Sequence, residues 1–117
     1  MADSILNNIK KLLGPSADDK NFDPDIIMHI NTAFSVLCQL GVGPTTGFSI
    51  SDESKEWSDF LPPDSAKLEM VKTYVYLKTK LYFDPPPTGV LIDAINRQIS
   101  ELEWRINVAI ETPDTSG

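Results

Sequence analysis

The sequence is poor in the residues that build reactive centres. Its 117 residues hold 1 cysteine, Cys38, and 1 histidine, His29. A single cysteine excludes an internal disulfide and a cysteine-cluster metal site, and fits a reducing compartment. Basic residues are outnumbered: 10 Lys and Arg stand against 17 Asp and Glu, for a net charge of −7. A general nucleic-acid binder needs a basic surface to displace counterions from phosphates, so that class is disfavoured. A protein that surrounds DNA without gripping it is not excluded. No apolar run reaches the roughly 20 residues of a membrane span. The start, Met1-Ala2-Asp3-Ser4-Ile5, lacks the basic and apolar regions of a signal peptide, which points to a protein made and kept in a cytoplasm.

What is present is an ordinary apolar share, 41%, laid out with helical spacing. The length argues for one domain with a core that needs no staple. Residues 1–110 are expected to form it and 111–117, small, polar and broken by Pro113, a flexible tail. Ser4 to Leu13 reads as a short amphipathic helix, with Ile5, Leu6, Ile9, Leu12 and Leu13 on one face. Gly14-Pro15 stops it. Asp23-Pro24-Asp25 opens a second helix, with Asp23 as its N-cap. Ile26, Ile30, Ala33, Phe34, Leu37 and Leu40 form its stripe, and Gly41 its C-cap.

Residues 42–63 are irregular. Phe48-Ser49-Ile50 alternates as a half-buried strand would, and Lys55-Glu56-Trp57 could return beside it, so a small β-hairpin is expected. Trp57 to Leu61 suits one helical turn. A third long helix, Lys67 to Phe83, is apolar around about half its circumference and should be central. Leu68, Val71, Val75 and Tyr82 share a face. Three prolines, Pro85 to Pro87, then separate it from a fourth helix, because proline lacks the N–H and fixes φ. That helix, Leu91 to Ala109, places Leu91, Ile95, Ile99, Leu102, Ile106 and Ala109 on one stripe. The fold class expected is all-α: four main helices in a small bundle, with a short β-hairpin or loop insertion between helices 2 and 3.

No catalytic constellation emerges. His29 and Cys38 are roughly 13 Å apart along one helix at 1.5 Å per residue, too far to act together, and both read better as structural. Asp18-Asp19 and Asp23-Pro24-Asp25 lack the ligand spacing of a calcium loop and suit solvation and capping. Gly41-Val42-Gly43-Pro44-Thr45-Thr46-Gly47 has no lysine in phosphate-loop spacing and follows a helix instead of a strand. No catalytic, cofactor-binding or metal-ligating residue is therefore assigned. One feature leans toward function. Trp104 lies about half a turn from the fourth helix's apolar stripe, with Val90 and Val108 on the same far side. A lone surface tryptophan is common enough. Tryptophan is also enriched in interface hot spots, and Arg97 and Arg105 stand near as polar anchors. Phe48 and Ile50, on the irregular excursion, are candidates for a second contact surface.

The order of several short motifs resembles a known family. They are Ile5 and Ile9 leading into Lys10-Lys11-Leu12-Leu13-Gly14, then Asp25-Ile26-Ile27-Met28-His29-Ile30-Asn31 and Gln39-Leu40-Gly41-Val42-Gly43. Further on come Trp57-Ser58-Asp59-Phe60-Leu61, Val71-Lys72-Thr73-Tyr74-Val75-Tyr76-Leu77-Lys78, Phe83-Asp84-Pro85-Pro86 and Glu101-Leu102-Glu103-Trp104-Arg105. Together these span about residues 4 to 108 and are similar to the small head–tail connector, or head-completion, proteins of long-tailed bacteriophages. The resemblance implies a mostly helical subunit assembling as a homo-oligomeric ring, commonly of twelve, in the neck of the virion. Such a ring docks beneath the portal protein and presents a surface to the next neck, stopper or tail-completion protein. Genomic DNA passes through it without sequence-specific binding. It implies no enzymatic activity, no cofactor and no membrane. The acidic charge suits a channel in which DNA slides. The alternative, from another class, is a small cytoplasmic helical regulatory module that binds proteins as a monomer or dimer.

Overall fold

The structure is a computed structural model and describes residues 4–44, 46–62 and 64–111. Among them are five α-helices: α1 (Ile5–Leu13), α2 (Asp23–Leu40), α3 (Trp57–Phe60), α4 (Leu68–Phe83) and α5 (Gly89–Glu111). Two 3-10 turns, Pro15–Ala17 and Lys20–Phe22, link α1 to α2. The tail expected over 111–117 gives its first residue to α5, and 112–117 lie outside the described residues.

Local chemistry sets the helix ends. The Ser4 side chain accepts the Asn7 N–H at 3.3 Å and caps α1. Gly41 closes α2 in the left-handed region, at φ 99°, where a side chain would be strained. Asp23 is not the N-cap of α2. The 3-10 turn Lys20–Phe22 runs straight into the helix, so Phe22 occupies the cap position and Asp23 the first turn. Its carboxylate instead holds Lys10 of α1 at 2.7 Å. The neighbouring Asp19 accepts the Asn21 N–H at 2.9 Å. The acidic group thus divides between turn capping and a tie from α1 to α2.

α4 is the hub: α1, α2 and α5 all pack on it. Val71, Tyr74, Val75 and Thr79 are fully buried there. Facing them are Ile5 and Ile9 of α1, Ile26, Ile30, Phe34 and Leu37 of α2, and Ile106 of α5, each at 0% exposure. Burying each large apolar side chain is worth roughly 1.5–3 kcal/mol, which is why the hub helix must be apolar on several sides. Tyr82 departs from expectation. It is 57% exposed, because the α4 core ends one turn earlier and Tyr82 lies over His29, ring centroids 5.8 Å apart.

The excursion between α2 and α4 is not a hairpin. No strand occurs among the described residues, only an isolated antiparallel bridge between Ser4 and Glu56. The Phe48-Ser49-Ile50 alternation is real, since Ile50 is buried, Phe48 half-buried and Ser49 exposed. Ile50, however, pairs with a side chain. Asn31 Nδ2 donates to the Ile50 carbonyl at 2.9 Å, and the Ile50 N–H donates to Asn31 Oδ1 at 2.7 Å. The expected return strand also pairs elsewhere: the Ile5 N–H donates to the Lys55 carbonyl at 2.9 Å. Trp57 then starts α3, whose capping box joins Glu56 and Asp59. Trp57 and Phe60 gather with Phe48 around Phe34, with ring centroids 4.7 to 6.0 Å from Phe34.

Candidate interaction face

α5 packs chiefly on one helix, α4. Ile95, Ile99 and Ile106 are buried on its inner stripe, and Leu102 is half-buried beside them. Tyr74 fixes the rotation of the helix. Its hydroxyl, reaching from the core, donates to Glu103 Oε2 at 2.7 Å. Burial and that hydrogen bond push the phenol well above its ordinary range. With the inner stripe and Glu103 turned to α4, the opposite side faces outward. The Thr88 hydroxyl accepts the Leu91 N–H at 3.3 Å and so ties the helix start to the proline connector.

That outward side carries Trp104 at 66% exposure, Val90 at 75% and Val108 at 38%. Arg97 and Arg105 are exposed with them. Arg105 is held by Glu101, one turn earlier, at 2.9 Å. Leu91, expected on the buried stripe, is 50% exposed. It lies in the first turn of α5, beyond the stretch where Ile95 begins the buried stripe. The exposed apolar surface at that end is therefore larger than the spacing suggested.

Phe48 and Ile50 belong to a different environment. Ile50 is 3% exposed, and Phe48 packs edge-on against Phe34 at 4.9 Å and at a tilt against Phe60 at 5.1 Å. In the single subunit both serve the core. The structure thus groups Trp104, Val108, Val90, Arg97 and Arg105 on one helix and sets Phe48 and Ile50 apart.

His29 and Cys38 lie on α2, with His29 against Tyr82 and Cys38 half-buried. Among the described residues no group of three His, Cys, Asp or Glu is arranged to hold a metal ion. No described helix is long and apolar enough to cross a membrane. Sequence reasoning missed one feature, a cleft of about 470 Å³ between α4 and α5 lined by Thr73, Tyr76, Leu77, Gln98, Glu101 and Leu102. Its only sequence signal is Tyr76, an aromatic residue one position off the α4 core face.

The fold defines a small, mostly helical protein whose core is closed by α1 to α4 and the inner stripe of α5. The other side of α5 is left bare. A family model described as phage connector protein matches residues 5–113, and the chain belongs to that family. No curated protein and no solved structure matched in the corresponding searches.

Proposed function

We propose that this chain is a structural virion protein without enzymatic activity, one subunit of a ring that joins the portal to the neck or tail machinery. Twelve copies is the stoichiometry the resemblance favours. The ring extends the channel through which genomic DNA passes, and the net charge of −7 keeps that DNA from adhering. Many modest contacts around a closed ring sum to a durable joint. The observation that carries this reading is membership of the connector family over residues 5–113. The exposed side of α5 supports it, because Trp104 with two valines and two arginines is the composition of an interface centre.

The test is to produce virions without this protein and image them. DNA-filled heads lacking tails are expected, and heads that keep normal tails would refute the role. Mass measurement of the purified chain with the portal protein adds a second check. A multi-copy complex on the portal is expected, whereas a lone dimer that ignores the portal would favour a regulatory binding module.

A further inference from the structure

We infer that α5 is exchanged between copies on assembly, each copy laying its α5 on the α4 of a neighbour. The inference rests on the ring reading above and specifies how neighbours are joined. In the closed subunit α5 gives the core one stripe, Ile95, Ile99 and Ile106, and its Glu103 accepts the Tyr74 hydroxyl. The other sides of α4 are covered by α1 and α2, so the part of the core centred on Phe34 and Val75 does not depend on whose α5 is present. An α5 from a second copy makes the same contacts on α4 as the chain's own. Closed and exchanged forms therefore differ only at the connector and where the copies meet, which is why exchange is a low-cost route to assembly.

The connector serves both forms. Pro85, Pro86 and Pro87 have no N–H to donate, and the bonds at its ends stay within their own helices. The Asp84 N–H donates to the Lys80 carbonyl at 2.9 Å, and Thr88 accepts the Ile92 and Leu91 N–H groups at 3.1 and 3.3 Å. All three survive when α5 leaves its own α4. Three prolines stay extended in either form, and at 3.1 Å per residue the six steps from Phe83 to Gly89 reach roughly 19 Å. That reach fixes where copies meet. A borrowed α5 begins beside the last turn of the host α4, so the donor's α4 must end close by, and the copies abut connector end to connector end. Apolar side chains are bare at that end of the closed subunit. Phe22, edge-on to Phe83 with ring centroids 5.6 Å apart, is 41% exposed, Leu91 50%, Tyr82 57% and Val90 75%. Abutting copies take these side chains out of water, and that burial favours the exchanged form. A copy that gives α5 to one neighbour and receives it from another makes a head-to-tail contact, which closes into a ring when the rotation allows.

The test asks whose α5 lies on each α4. Tyr76 and Gln98 line the same cleft between the two helices. The chain is made with p-benzoylphenylalanine at position 76, in one batch of natural isotopes and one labelled with nitrogen-15. Position 98 serves instead should melting show that the first variant is unfolded. The batches are unfolded together in equal amounts, refolded, and irradiated as single copies and after assembly on the portal protein. Single copies are expected to give α4–α5 adducts that are wholly light or wholly heavy. In the assembly the same residues are expected to join, with about half of the adducts mixed, as random exchange between copies requires. Adducts that stay wholly light or wholly heavy there would overturn exchange while leaving the ring reading intact. Mixed adducts confined to a two-copy species would support exchange and overturn the ring. A chain that remains a single copy both alone and on the portal would overturn both. Leu91→Asp, at the bare connector end, is expected to lower the assembled fraction about tenfold with the single copy melting as before; undiminished assembly would show that these ends do not meet, against the exchange.

Discussion

Asn31 supplies to Ile50 the two hydrogen bonds that a neighbouring strand would otherwise provide, at 2.9 and 2.7 Å. One side-chain amide on α2 thereby holds an extended segment against the core without any second strand. The pair spans 19 residues, so it fixes the whole start of the excursion, including the approach of Phe48 to Phe34. Asn31→Ala should leave the Ile50 N–H and C=O unpaired in a half-buried place and cost about 2 kcal/mol. Asn31→Asp keeps the acceptor but turns an oxygen toward the Ile50 carbonyl, and should be no milder. Urea denaturation measures both, and faster amide exchange at Ile50 would localise the loss.

Gly43 and Gly47 have nearly equal positive φ, 85° and 93°, yet opposite surroundings. A Cβ on Gly43 would collide with the Phe60 ring, whereas one on Gly47 would meet nothing within 4 Å. Gly47→Ala should therefore cost only the backbone strain, about 1–2 kcal/mol. Gly43→Ala should cost more, about 3 kcal/mol, because the ring packed on Phe34 must shift as well. Equal losses in a denaturation series would show that Phe60 yields freely.

Thr79 lies at 0% exposure with no hydrogen-bond partner for its hydroxyl among the described residues. A buried hydroxyl without a partner is a net cost. Thr79→Val keeps the branched shape and removes the oxygen, and is expected to raise stability by about 1 kcal/mol. A lower melting temperature in the variant would mean that the hydroxyl is satisfied.

Tyr74 makes stability depend on alkaline pH. Its phenol is raised above the ordinary tyrosine value by burial and by the hydrogen bond to Glu103. A group raised in the folded state contributes its full stability below its unfolded value. The contribution is lost as pH rises from there through the folded value. Stability should fall from about pH 10 upward. Tyr74→Phe should cost about 1 kcal/mol near neutrality, the lost hydrogen bond, and flatten the alkaline decline. Parallel melts at neutral pH and at about pH 10.5 would compare the two, and an unchanged slope would remove Tyr74 as the cause.

The 2 tryptophans report on different things. Trp57 is 3% exposed and Trp104 66% exposed. Assembly should shield Trp104 while leaving Trp57 as it is, so acrylamide quenching of total fluorescence should drop and the emission should shift to the blue. An unchanged quenching constant on assembly would mean that Trp104 stays in water.

Periodicity made the long helices legible, because Ile, Leu and Val at three- and four-residue spacing have one efficient way to share a core. Their limits were less legible. Tyr82 and Leu91 keep the spacing of their stripes but sit near the proline connector, past the point where a second element covers them. No window of sequence states where a neighbour stops. The hairpin misreading has a related cause. Alternation at Phe48-Ser49-Ile50 signals a half-buried extended segment, and an extended segment needs hydrogen-bond partners without specifying their kind. The partner was Asn31, in a helix already assigned. On the outward face, Trp104, Val90 and Val108 were readable from helical angles alone. The α4–α5 cleft was not, since it depends on how two helices lie against each other.

α5 runs for 23 residues against the 16 of α4. Val90 and Val108 consequently stand about 27 Å apart on one rigid rod, at 1.5 Å per residue. A binder seated at either end leaves the other end open. Contacts at the two ends can thus be made and broken in turn, and a strain applied at one is carried to the other through continuous backbone hydrogen bonds, with no joint in between to absorb it.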